Sequence, residues 1–192
     1  GSELKSLLGT SAVYVDRAEL DISDELAVKS FLEKNRFDGV VNCAAYTAVD
    51  KAEDEPAEAD RINHLGPKWL AKYGKRIIHI STDYVFDGTA HIPYSENDRP
   101  NPVTAYGRTK LAGERAVLEQ AETAIIIRTA WLYSLHGSNF VKTMLRLGRT
   151  RDSLNVVCDQ IGSPTSAADL AKAIVEILSQ INRKKKEIYH FT

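Results

Sequence analysis

Apolar residues in this chain come in short consecutive runs separated by amphipathic stretches. The runs are "AVYVD" (12–16), "GVVNCAA" (39–45), "RIIHIS" (76–81) and "AIIIRT" (124–129). They are apolar on neighbouring positions instead of every second one, which predicts strands covered on both faces, as in a parallel sheet. Between them, "DELAVKSFLEKN" (24–35), "PAEADRINHLGPKWLAKY" (56–73) and "TAYGRTKLAGERAVLEQ" (104–120) carry helical periodicity, with Ser23 placed as N-cap of the first. Strands alternating with helices predict an α/β fold, a doubly wound and Rossmann-like parallel sheet.

Past Trp131 the rhythm changes. A helix is expected over 139–149, followed by the apolar "LNVVC" (154–158), a loop over 159–165 and a helix opening at Ser166, where Asp169 three positions on fits a capping box. The closing "EIYHFT" reads as a strand. We expect a nucleotide-binding unit over 1–130 and, over 131–192, part of a small second domain together with elements returning to the first. A dinucleotide fold begins with a strand running into a glycine-rich loop whose N–H groups meet the pyrophosphate. This chain opens instead on the helix-like "GSELKSLLG". The expectation is that strand and loop precede it, and that the chain alone binds a dinucleotide weakly.

Charge alters this picture little. The 25 basic and 26 acidic side chains leave a net charge of -1, which gives no pull toward nucleic acid or a membrane surface. The basic cluster Arg183, Lys184, Lys185 and Lys186 ends at Glu187 and reads as a solvated loop. No apolar run reaches the ~20 residues of a membrane span, and no signal pattern opens the chain. A cytoplasmic location is expected. Cys43 and Cys158 lie inside apolar runs, which predicts buried thiols. The five histidines have no metal-ligand spacing, so no metal site is expected.

Candidate chemistry gathers at strand ends, where open α/β sheets bind ligands. Thr82 and Asp83 follow "RIIHIS" directly. Tyr106 and Lys110 sit at i, i+4 on one helix face, close enough for an ammonium to act on a phenol or a ligand. A cation at ~4–6 Å would lower the tyrosine pKa toward working pH and make it a proton donor.

Ser/Thr, Tyr and Lys in this order resemble the short-chain dehydrogenase/reductase superfamily. The segments "NCAAYTAVDKAEDEP", "HISTDYVFDG", "NPVTAYGRTKLAGE", "IRTAWLY", "NFVKTMLRL" and "DQIGSPT" more closely resemble the dTDP-4-dehydrorhamnose reductase family, over nearly the whole chain. That resemblance implies NADPH or NADH as cofactor and reduction of the 4-keto group of a dTDP-linked deoxysugar. It implies Tyr106 as proton donor, Lys110 as ribose holder and tuner of Tyr106, Thr82 as partner of the reacting oxygen, and Asp83 and Trp131 as substrate contacts. For the cofactor it implies Asp21, Ile22, Ala44, Ala45, Tyr46 and Thr47. Asp16, ending the second expected strand, is placed to hold an adenosine ribose, while Arg17 beside it suits a 2'-phosphate, so use of both cofactors is expected. A homodimer is a further expectation. Two other readings share these residues: a non-catalytic regulatory subunit resembling the beta subunit of methionine adenosyltransferase, and a sugar-nucleotide epimerase.

Overall fold

The computed structural model describes residues 1–179, 181 and 185–192. Four strands form a parallel sheet in the order β1-β2-β3-β6: β1 is Val40–Asn42, β2 Arg76–Thr82, β3 Thr123–Thr129 and β6 Lys186–His190. β3 is buried at every position, as a central strand covered on both faces must be. On one face, α2 (Glu25–Lys34), α5 (Gly66–Gly74) and α6 (Ala105–Gln120) close over Ile77, Ala124 and Ile126 with Val28, Leu70 and Val117. On the other, α1 (Ser2–Leu8) and α8 (Ala167–Leu178) cover Ile78, Ile125 and Ile127 with Leu4, Leu170 and Ile174. Helices on both faces of a parallel sheet make the expected doubly wound α/β architecture. A second sheet pairs β4 (Leu132–Tyr133) with β5 (Thr165–Ser166), and α7 (Phe140–Leu147) lies between them in sequence.

Several local expectations need correction. Residues 12–16 form no strand, leaving Val13 63% and Val15 40% exposed. A strand exists only with a hydrogen-bonded neighbour, and β1 pairs with β2 alone among the described strands. Asp24, not Ser23, caps α2: its carboxylate accepts from the N–H groups of Leu26 and Ala27, while the Ser23 hydroxyl donates to Asp21 at 2.6 Å. An anion accepting two N–H bonds at the positive end of a helix outcompetes a hydroxyl. Both cysteines are exposed, Cys43 in the turn just past β1 and Cys158 in an uncovered segment where Val156 and Val157 are also exposed. Ser166 does cap α8, accepting from Asp169 N–H at 3.3 Å, but the Asp169 carboxylate turns to Lys172 at 2.9 Å, so half of the capping box forms. Of the basic cluster, Lys186 opens β6 and Lys185 pairs with Glu187 at 2.8 Å; Arg183 and Lys184 lie outside the described residues.

The long helix expected over 56–73 is three segments: α4 (Pro56–Asp60), a π turn over Arg61–Leu65, and α5. Pro67 has no N–H to give the carbonyl of Asn63, four residues earlier, which is the usual origin of such a break. Among the described residues no helix is long and apolar enough to cross a membrane.

Candidate active site

The carboxyl end of β2 carries the site. Thr82 is its last residue and pairs in register with Thr129, the last of β3; a 3-10 turn over Asp83–Val85 follows. Above it starts α6. Thr104 caps the helix by accepting from Gly107 N–H at 3.0 Å, and the Glu53 carboxylate accepts from Ala105 N–H at 2.6 Å. Gly107 is required here, because a Cβ would stand 2.2 Å from the Tyr84 carbonyl oxygen. That backbone contact sets Tyr106 edge-on to Tyr84, with ring centroids 5.5 Å apart, and beside Thr82.

Tyr106 is 9% exposed and Lys110 1% exposed, so the pair is buried and not a solvated helix face. The Thr82 hydroxyl donates to Asp83 at 3.0 Å and interacts with the Tyr106 phenol. Burial raises the Tyr106 pKa, Asp83 and Tyr84 raise it further, and only the Thr82 hydrogen bond opposes them. This reverses the expected lowering by Lys110. The Lys110 ammonium passes to the β2 backbone instead, donating to the Ile80 carbonyl at 2.6 Å. Burial pushes its own pKa down to about 8, against the opposing pull of Glu114 and Cys43. Asp83 is raised by the same desolvation. The result is a protonated phenol, a hydroxyl and a buried lysine at one strand end.

Sequence reasoning missed the residues that hold this end in place. Asn63, fully buried in the π turn, accepts from Tyr46 N–H at 2.8 Å and donates to the Tyr46 carbonyl at 3.1 Å and to Thr109 Oγ1 at 3.2 Å. One side chain thus fastens the loop after β1 to α6. Asn42 Nδ2 donates to His79 Nδ1 at 3.1 Å while its Oδ1 accepts from Ala44 N–H at 3.0 Å. His79 is fully buried, with burial and then Lys110 holding its pKa well below the ordinary value, and its Nε2 has no partner. The legible signal was polar residues inside apolar strands, in "VVN" and "IIHIS".

The implied cofactor residues fall in two groups. Ala44, Ala45, Tyr46 and Thr47 form the loop at the carboxyl end of β1, next to a cavity of about 230 Å³ lined by Cys43, Ile80, Leu4 and Leu132 among others. The cavity opens toward α1 and α8 and is not lined by Thr82, Tyr106 or Lys110; what suits the loop itself to a flat ring is its small Ala44 and Ala45 at the strand end. On the flank, Asp16 accepts from Ala18 N–H at 2.8 Å, and Asp21 is engaged by Ser23 and Arg61. Arg17 pairs with Glu58 at 3.3 Å, and Ile22 packs where a Cβ on Gly66 would fall 2.7 Å away. These groups belong to local ties that a ligand would have to share. Trp131 stands 41% exposed just past β3, with its backbone at φ 46°, an unusual conformation for a bulky residue, and with its indole against Gly162. Among the described residues no cluster of His, Cys, Asp or Glu is arranged to hold a metal ion.

The family model described as the RmlD substrate binding domain matches residues 1–192. A dTDP-4-dehydrorhamnose reductase of Sinorhizobium fredii is 46% identical over 184 residues, covering 92% of this chain and 62% of that protein. The chain therefore spans less than two thirds of that relative's length. The crystal structure of a dTDP-4-dehydrorhamnose reductase from Clostridium acetobutylicum superposes with a TM-score of 0.94 at 45% identity, over 100% of this chain and 70% of that one. The enzyme of that name from Bacillus anthracis, solved in complex with NADP, also gives 0.94, at 39% identity and the same coverage. With a family model matching from end to end, this chain belongs to the RmlD substrate binding domain family.

Proposed function

We propose that the protein reduces the 4-keto group of dTDP-4-dehydro-6-deoxy-L-mannose to give dTDP-L-rhamnose, using NADPH or NADH. The observation that carries this reading is the convergence of Thr82, Tyr106 and Lys110 at the carboxyl end of β2, beside the Ala44–Thr47 loop. When bound, the nicotinamide supplies hydride to the carbonyl carbon. Tyr106 supplies the proton to the carbonyl oxygen: its raised pKa keeps the phenol protonated at neutral pH, ready to donate as charge develops. Thr82, placed between Asp83 and Tyr106, orients the reacting oxygen. Lys110 contributes an ammonium at the nicotinamide end, and the Asn63 and Asn42 ties hold the loop on which the ring would lie.

Asp83 and the half-exposed Trp131 face the sugar nucleotide in this reading, with the segment from β4 to β5 contributing to its side of the cleft. A cytoplasmic setting and a homodimer belong to the same proposal. Tyr106→Phe in the full-length gene product is the direct test. Loss of one general acid should reduce kcat by about 10²- to 10⁴-fold with cofactor affinity retained. Near-normal turnover would reject Tyr106 as the donor.

A further inference from the structure

Beyond the residues that would touch ligand, α6 carries a second buried charge. Glu114 is 1% exposed and stands one turn after Lys110, at i, i+4 on the same helix face. Its carboxylate takes a two-point contact from Arg128 of β3, from Nε at 3.0 Å and Nη2 at 2.7 Å, and a hydrogen bond from the Ser81 hydroxyl of β2. Ser81 precedes Thr82, and Arg128 precedes Thr129. One carboxylate therefore ties the helix bearing Tyr106 and Lys110 to the ends of both strands beneath it.

We propose that Glu114 is a positioning residue for the reducing site: it fixes α6 over β2 and β3 and supplies the buried negative charge that faces Lys110. The proposal deepens the reductase reading and rests on it. The groups around Lys110 are few. Tyr106 and Glu114 share its helix, His79 and the Ile80 carbonyl come from β2, Cys43 follows β1, and Arg128 stands behind Glu114 on β3. His79 is held neutral by burial, and the Tyr106 phenol is kept protonated. Glu114 is thus the carboxylate in this set. Without that carboxylate the buried Lys110 ammonium loses the negative charge one turn along its own helix, and the proton it holds becomes easier to release. A merely structural glutamate would leave the Lys110 titration where it is.

The experiment follows the Lys110 Cε signal of ¹³C-lysine-labelled protein by NMR as pH is raised, assigned through its absence in Lys110→Met. No substrate is used, so failure here indicts the role of Glu114, whereas a wild-type enzyme inactive on the keto sugar would indict the reductase reading. Glu114→Gln keeps the shape and removes the charge; the Lys110 midpoint should fall by at least about one pH unit. Glu114→Asp keeps the charge and should leave the midpoint within about half a unit of wild type. An unmoved midpoint in Glu114→Gln overturns the proposal. If that variant does not fold, Arg128→Met removes the competing guanidinium from the carboxylate, leaving the neutral Ser81 hydroxyl, and should raise the midpoint; no change there overturns the proposal equally.

Discussion

Replacing Gly113 with alanine tests whether α6 is held against the π turn as closely as the site requires. A Cβ at position 113 would stand 2.1 Å from the Asn63 carbonyl oxygen, 3.2 Å from its carbon and 3.6 Å from the His64 Cα. All three are backbone atoms, so no side chain can swing aside. Restoring an ordinary contact requires about 1 Å of separation between α6 and the turn, and overpacking of this kind costs about 1–3 kcal/mol. Contact with rigid backbone puts Gly113→Ala near the upper end. Alanine returns about 1 kcal/mol through its helix propensity, leaving a net loss of about 2 kcal/mol. For a chain of this size that lowers Tm by about 4–8 °C, measurable by thermal unfolding followed by circular dichroism. The sign decides the matter. If the helix did not approach the turn, propensity alone would raise Tm, so a Tm equal to or above wild type refutes the packing described here.

Trp131→Ala should raise KM for the sugar nucleotide with little change in cofactor affinity, the lost contact being worth about 1–3 kcal/mol by analogy with aromatic stacking on nucleotides; steady-state kinetics with each substrate varied checks it. In the proposed reaction Lys110 acts as an ammonium, so activity should decline as pH rises through about 8, the value to which burial pushes it. Stability runs the opposite way. Between about 8 and the ordinary 10.5 the unfolded chain holds the Lys110 proton more strongly than the folded one, so wild type should gain stability with rising pH relative to Lys110→Met in urea unfolding. His79, depressed by burial, gives an acid effect: below its ordinary value of 6.5 the unfolded state alone takes up its proton. Wild type should then lose up to about 1.4 kcal/mol per pH unit that His79→Gln does not lose, which paired unfolding curves at falling pH would reveal.

The sheet was legible in the chain because β2 and β3 are buried on both faces and so read as unbroken apolar runs. Residues 12–16 carry the same signal, but a strand is a property of two segments, and pattern within one cannot report its neighbour. Tyr106, Lys110 and Thr82 were legible through spacing and position at strand ends. The direction of the Tyr106 shift was not. Helical spacing places Lys110 near the phenol but does not show that Ile80 takes its ammonium, or that burial dominates the tyrosine. Asn63 was hidden for a related reason. Its partners, Tyr46 and Thr109, lie 17 and 46 residues away, and only the π turn opened by Pro67 aims it at both. The cysteines misled because short apolar runs do not separate a buried strand from an exposed loop.

The proposed function has Tyr106, Lys110 and Thr82 form a reducing site for a dTDP-linked keto sugar. It is tested most directly by incubating the full-length gene product with NADPH and dTDP-4-dehydro-6-deoxy-L-mannose and following both cofactor and sugar. One NADPH should be consumed for each dTDP-L-rhamnose formed. Binding of both ligands without turnover, or conversion of the sugar with no net loss of NADPH, would contradict it.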